Sequence, residues 1–349
     1  MEDIKISVVH YEEWRKVLLA FRNANRSEER NELYFDWRYL RRPNNWQKPV
    51  IIVAQTLQGE MIGACSLIPH HFSSSNEQYS FGILGDISVA KTWRGKGVAP
   101  QMFRFLSGIY AKKQLRANLV LPNEEASRSL SKANWRTIST MERYVKVINI
   151  EKIIRRSLSA IWLTKLIAFP INYILKAISC ETYARDVKGY KGAVAVQFDE
   201  RFDILWNDAE KESMIIGLRN RDYLTWRYKS HPLINYQIFT LTHKASLCGY
   251  IVFHYFEDSC YIDDLFYLKK NEHPQYLLTC FLKYIRKTNA SNITFHINKN
   301  DFFALNLARF GFIKRSDNWR IMIHVDNSHD DPSLLMGDKW FLTAGDKDA

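Results

Sequence analysis

What this chain lacks narrows its class before any motif is read. Of its 349 residues only five are cysteine: Cys65, Cys180, Cys248, Cys260 and Cys280. The count is odd and no pair has Cys-x-x-Cys spacing, so neither a disulfide framework nor a zinc site is indicated, and no metal is expected. The opening MEDIKISVVHYEEW has no apolar core of a secretion signal, which leaves a reduced cytoplasmic protein as the expectation. No stretch concentrates the charge. The net balance is +12, which favours anionic partners. The densest runs are only RRPNNWQK at 41–48 and EKIIRR at 151–156. So scattered a basic surface reads as solvation, and no specific nucleic acid is expected. Two standard phosphate loops are also missing, since there is neither GxxxxGK[ST] nor GxGxxG after a first strand.

Long apolar runs are few, and one needs weighing. Residues 158–178, LSAIWLTKLIAFPINYILKAI, have the length of a membrane span but carry Lys165, Asn172, Lys176 and a central Pro170. Two readings stay open. The run is a packing helix between domains, or an amphipathic helix on a membrane surface, preceded by Arg155 and Arg156. The second reading brings peripheral contact through 151–178 at the inner face of the membrane.

What the sequence does contain is a repeat. FDWRYLRRP at 35–43 returns as LTWRYKSHP at 224–232, with the Trp-Arg-Tyr triplet and the following proline in the same spacing. Each copy continues into two alternating apolar runs, the second entered through Gly63 or Gly249, the pattern of a β-hairpin. GILGDISVAK then matches CYIDDLFYLK and aligns Asp86 with Asp264. Helical runs and short strands follow in both. NEEASRSLSKANW at 123–135 matches NDFFALNLARFGF at 300–312. The expectation is an α/β chain with one unit at 1–150, a linker with the apolar helix at 151–190, a second unit at 191–330 and a tail at 331–349. Disorder is expected only in the tail.

The copies part at one loop. The first has TWRGKGVAPQMF at 92–103, and the second has Asn271-Glu272-His273-Pro274-Gln275 in its place. Gly95 and Gly97 allow backbone conformations closed to other residues, so their amides and those of the following helix can turn toward a phosphate. Arg94 and Lys96 add charge. One working anion site in a duplicated fold follows, fit for a pyrophosphate.

GDISVAKTWRGKGVAPQMFRFL resembles the acyl-coenzyme A segment of the GNAT N-acyltransferase superfamily, where a strand leads to an Arg-Gly-x-Gly turn and a helix. NEEASRSLSKANW is similar to a later segment of that family. The resemblance covers both halves and implies two GNAT-like mixed-sheet units in tandem, the second without the pyrophosphate loop. It implies acetyl-CoA or another acyl-CoA as co-substrate. The amides of Arg94, Gly95, Lys96, Gly97, Val98 and Ala99 would bind the pyrophosphate. The backbone of Ile87, Ser88 and Val89, where such folds splay two strands, would pair with the pantetheine arm, helped by Asn123. The tyrosine that often follows that asparagine by seven positions is Leu130 here and Leu307 in the second copy.

Asp86 is then the candidate general base, at a strand end facing the expected cleft. The alternative is that it braces the strand junction, as Asp264 would in the other copy. Arg38, His70 and His71 are candidates for the acceptor pocket. Against that, Trp-Arg-Tyr in both copies reads as architecture, and histidines in LIPHHF read as core or surface. Cys65 reads as core. The tandem form with Trp-Arg-Tyr is similar to acyltransferases of bacterial surface-polysaccharide synthesis, which implies a small-molecule or glycan amine as acceptor, an amino sugar among them. Transfer from charged tRNA and a non-catalytic binding module are the rival readings. Oligomeric state is not legible.

Overall fold

The computed structural model describes residues 4–26, 29–43, 46–74, 77–110, 115–155, 161–185, 189–209, 214–268, 273–299, 306–325 and 332–347. The first repeat runs β1 (Ile4–Val9), α1 (Tyr11–Ala24), α2 (Glu32–Tyr39), β2 (Val50–Thr56), β3 (Met61–Ser74), β4 (Glu77–Val89), α3 (Val98–Tyr110), β5 (Ala117–Val120), α4 (Glu124–Ser131) and β6 (Arg136–Val147). Helices α5 (Glu151–Arg155), α6 (Ile161–Ala177) and α7 (Cys180–Tyr183) link it to the second. That repeat has β7 (Tyr190–Ala195), α8 (Glu200–Asp208), β8 (Ile215–Gly217), α9 (Arg221–Leu224), β9 (Gln237–His243), β10 (Ser246–Phe256), β11 (Ser259–Tyr267), α10 (His273–Ile285), β12 (Asn292–Asn298) and β13 (Ile313–His324). The tail adds β14 (Trp340–Phe341).

The expected hairpins form as β2–β3 and β9–β10, both antiparallel. The two repeats share one mixed 14-stranded sheet, with strands in the order β1-β2-β3-β4-β5-β13-β6-β12-β11-β10-β9-β7. The last strands of the repeats have changed places. β13 pairs with β5 of the first repeat, while β6 pairs with β12 of the second. The two exchanged strands also pair with each other. Each unit therefore completes its sheet with the other's final strand.

The repeated triplet sits where the units meet. Trp37 and Trp226 stack with ring centroids 5.0 Å apart. Each indole Nε1 donates to the other's backbone carbonyl, at 2.8 Å from Trp37 and 3.2 Å from Trp226. This reciprocity is that of an interface between like surfaces, and it accounts for the presence of the triplet in both copies. The apolar side of α3, with Val98, Met102, Phe103 and Leu106, packs on Ile52, Cys65, Leu67 and Leu84. Cys65 is a core residue, and burial pushes its thiol up to about 12.

Two regions differ from expectation. The tail is folded rather than disordered, with Trp340, Leu342, Thr343 and Asp346 all buried. Trp340 donates to the Leu334 carbonyl, and β14 pairs with β8, which pairs with β3. Apolar side chains at 334–342 joined to sheet strands outweigh the polar residues that end the sequence. The second region is α6, which does not fill the interface between the units. Its buried residues are Thr164 and Ala168, Leu163, Ile171 and Leu175 are half-buried, and Trp162, Leu166, Phe169 and Tyr173 point outward. Arg156 lies outside the described residues. No helix among the described residues is long and apolar enough to cross a membrane.

Candidate active site

The cleft is built by two strands that part company. β4 and β5 run parallel and pair only through Phe81–Ala117, Gly82–Asn118 and Ile83–Leu119. Beyond Ile83, β4 continues to Val89 without β5 beside it. A register shift against β3, between Ala64 and Ser66, falls opposite Asp86, whose φ of 52° is left-handed. A bulge of this kind bends a strand and re-aims its side chains. The gap opens into a cleft of about 780 Å³.

The predicted cofactor residues gather there. Ile87, Ser88, Val89, Arg94, Gly95, Gly97, Val98, Ala99 and Asn123 all line it. Gly95 and Gly97 have φ of +79° and +84°, and a Cβ on either would meet nothing within 4 Å. The glycines are thus required by the turn's dihedrals, and the space before them is open. The first turn of α3 follows directly, with its free amides. Such a turn and such a free strand edge fit a pyrophosphate and an amide-bearing arm, the two parts of coenzyme A that the residues would hold.

Three of these residues take parts the sequence did not suggest. The Arg94 guanidinium donates to the carbonyls of Asn25, at 2.9 Å, and Val89, at 3.4 Å, clamping the turn to the end of α1. Lys96 lies over the Trp93 ring, 4.9 Å from its centre, and is not among the lining residues. Asn123 caps α4, its Oδ1 accepting from the Ala126 amide at 2.9 Å, which leaves its amide nitrogen as the group able to donate to a ligand.

Asp86 sits in a network that suits a brace better than a base. Its carboxylate meets Arg38 at 2.8 Å and Arg26 at 3.1 Å, and accepts from the Tyr39 hydroxyl at 2.5 Å and from Ser66 at 3.3 Å. Burial alone would raise the carboxyl, but Arg38, Arg22 and Arg26 outweigh it and hold it far below the ordinary carboxylate range. A carboxylate so held takes up a proton poorly, the opposite of what a general base needs.

The acceptor candidates are corrected. Arg38 is buried against Asp86. His70 is buried among Trp46, Phe72 and Tyr223, its Nδ1 3.0 Å from the His71 carbonyl oxygen. Burial, then Arg42, keep it well below the usual histidine range. His71 packs edge-on to Trp46. None of the three lines the cleft. Two histidines on adjacent positions of β3 go to the unit interface because that strand is covered on both faces.

Part of the cleft wall was missed. It holds Asn25, Arg26, Arg30 and Tyr34 from the α1–α2 region, Ser129 and Lys132 from α4, and Lys347 from the tail. Arg26 and Arg30, four apart in NANRSEERNE, carried a faint signal. Lys347 carried none, because only the fold brings the tail back. Leu130 is wholly buried, so the position of the family tyrosine points into the core here. Among the described residues no group of three His, Cys, Asp or Glu is placed to hold a metal ion.

The second unit repeats the splay and closes it. β11 and β12 pair from Ser259–Asn292 to Ile262–Phe295 and no further. Past that point the tail moves in. Thr343 bridges to Ile297, the Asn298 amide donates to the Leu342 carbonyl at 3.2 Å, and Thr343 Oγ1 donates to Asp264 at 2.9 Å. Arg219 joins Asp264, at 3.1 Å, to Asp346, at 2.7 Å. α10 begins at His273, six residues after β11 ends, with no glycine between. Asn271, Glu272 and Asn300 lie outside the described residues.

Comparison with known proteins bears on this geometry. Residues 5–132 match the acetyltransferase (GNAT) domain. No protein of curated function matches the sequence. Among solved structures, a GCN5-related N-acetyltransferase from Anabaena variabilis superposes with a TM-score of 0.65 at 13% identity, over 93% of this chain and 74% of that one. A tandem GNAT protein from the clavulanic acid biosynthesis pathway gives 0.56 at 11% identity, over 93% and 98%. The N-myristoyltransferase of Saccharomyces cerevisiae, solved with bound myristoyl-CoA, gives 0.54 at 12% identity, over 93% and 79%. At these identities the likeness is one of fold. Residues 5–132, which build the open cleft, thus match a GNAT acetyltransferase domain, and the chain shares along its length the fold of a tandem GNAT protein.

Proposed function

We propose that the protein moves an acetyl or other short acyl group from coenzyme A to a primary amine. The observation that carries this is the parted β4–β5 pair ending at an open Gly95–Gly97 turn. The thioester would lie along Leu84–Val89, with the pyrophosphate at the turn. A neutral amine attacks the thioester carbonyl, the C–N bond forms, the C–S bond breaks, and the proton lost by nitrogen leaves with the thiolate or to water. Leu130, at the position of the family's tyrosine, is buried, so that position supplies no acid to the sulfur. The guanidiniums of Arg22, Arg26 and Arg38 stand around Asp86, a lining residue of the cleft, and would set positive charge near the developing thiolate. Fixed charge of this sign stabilises a developing anion.

The acceptor is an amine that also carries a phosphate or carboxylate. Arg26, Arg30, Lys132 and Lys347 line the cleft, and cationic walls favour an anionic substrate. A nucleotide- or lipid-linked amino sugar for a surface glycan has that chemistry, and a cytoplasmic setting, where acyl-coenzyme A is available, completes the proposal. Calorimetry with acetyl-CoA, followed by a thiol-release assay across amino sugars with and without a phosphate, tests it. Binding together with faster thiol release on phosphorylated amines is expected. Binding without release makes the protein a carrier or scaffold. Failure to bind coenzyme A, with tight tRNA binding that weakens steeply in salt, makes it an aminoacyl transferase.

A further inference from the structure

We propose that the outer face of α6 docks on an anionic lipid bilayer. The helix is amphipathic the wrong way round for water. On its protein-facing side Thr164 and Ala168 are buried and Leu163, Ile171 and Leu175 half-buried. Asn172 on that side accepts from the Ile150 amide and donates to Asn149, both at 2.8 Å. Its outward side carries Trp162, Leu166, Phe169 and Tyr173, between 66% and 76% exposed. At 3.6 residues per turn these four fall on one stripe. Ile161, Ile174 and Ile178, and Tyr183 on α7, are exposed as well. Soluble proteins seldom leave contiguous apolar surface beyond a few hundred Å² uncovered.

Charge selects the occupant. No Asp or Glu occurs from Ile161 to Cys180, whereas Lys165 and Lys176, both exposed, stand on the same side of the helix as the stripe, and Arg185 follows. A second copy of the chain would bring this positive face against itself, like charge to like charge. A bilayer rich in anionic headgroups meets both features, with aromatic side chains at the headgroup level and lysines on the phosphates. The helix would lie on the surface, since none among the described residues is long and apolar enough to cross.

Topology brings the face and the cleft to one edge. β5 is parallel to β4 and antiparallel to β13, which is antiparallel to β6. β6 thus runs the same way as β4 and β5, and α5 and α6 leave the sheet at the edge where the cleft lies. This holds whichever acyl group or amine the cleft takes.

The test is flotation of the full chain with vesicles of phosphatidylcholine alone and of phosphatidylcholine with about one-third phosphatidylglycerol. Binding to the anionic vesicles, and release by salt, are expected. Lys165→Glu with Lys176→Glu should weaken it on the order of 30-fold or more, at about fivefold for each lysine lost. Trp162→Ser with Phe169→Ser should reduce it to the phosphatidylcholine level. Both pairs are solvent-facing and outside the cleft, so melting temperature and coenzyme A binding serve as folding controls. Should the aromatic pair fail to fold, the lysine pair alone decides. No flotation of the wild type, flotation indifferent to the lysine pair, or a dimer that the aromatic pair disperses would each overturn the proposal.

Discussion

The two repeats build the same parted strands and put them to opposite ends. In the first, β4 and β5 separate into an open cleft; in the second, β11 and β12 separate around the chain's own tail. The matching aspartates record the difference. Asp86 stands among three arginines and is driven far down. Asp264 is raised by burial, with Arg219 opposing and Asp346 adding to the rise. Duplication supplied two splays. Only the one with a glycine turn stayed open, and the other became the anchor that returns Lys347 to the first cleft.

The largest effect expected is from separating the units. A fragment ending near residue 150 leaves β5 without β13 and β6 without either neighbour. Strands with unpaired edges invite aggregation, so this fragment should be insoluble or unfolded by circular dichroism. A soluble fragment that binds coenzyme A would show that the exchange of strands is dispensable.

The aspartates should separate next. Asp86→Asn leaves buried guanidiniums without their counter-charge, a loss of about 3–5 kcal/mol in unfolding free energy. Asp264→Asn leaves the Arg219–Asp346 pair, 2.7 Å apart, in place and should cost about 1–2 kcal/mol, the scale of a hydrogen bond. Denaturant melts of both variants check this. A normal melt with kcat lowered by about 10²-fold or more in Asp86→Asn would restore the base reading.

The turn itself gives a smaller, more local effect. Gly95 and Gly97 replaced by valine must hold left-handed dihedrals at about 1–2 kcal/mol each. Coenzyme A affinity should fall about 100-fold or more by calorimetry as the turn abandons its shape. Gly249, at the hairpin of the closed unit, sits 2.9 Å by Cβ from a backbone oxygen, so its replacement should lower stability instead.

Much of this was legible, and the physical reason is local. The hairpins, the glycine turn and the Trp-Arg-Tyr repeat are set by neighbours in sequence, through alternation, dihedral demand and spacing. Long-range partnership was not legible. Nothing in RTISTMERYVKV says that it pairs with the other unit's NITFHIN. Nothing in GDKWFLTAGDK says that it fills a splay. Asp86 was found at the cleft but its charged surroundings were not, because its protonation depends on Arg22, Arg26 and Arg38, brought in from two helices and the turn between them. His70 and His71 looked like donors for a substrate because sequence does not show that β3 is covered on both faces.

The smallest effect expected is a pH dependence that belongs to the interface between the units. Burial, then the Arg42 charge, hold His70 well below its ordinary value. His231, beside Trp37, is lowered to about 3 by burial, then by Arg227. Both are neutral in the folded chain at pH 7. The unfolded chain binds protons on them near pH 6.5, so it gains protons first as pH falls. Stability from these groups is therefore complete above pH 6.5 and lost below it, by about 1.4 kcal/mol per pH unit for each histidine. For His231 the loss levels off near its folded value of about 3. His70→Gln removes one titrating group, so its denaturant midpoint should decline less steeply than wild type between pH 6.5 and 5. Identical slopes would mean that His70 is protonated inside the folded protein, and that the interface between the open and the closed unit is looser than its packing suggests.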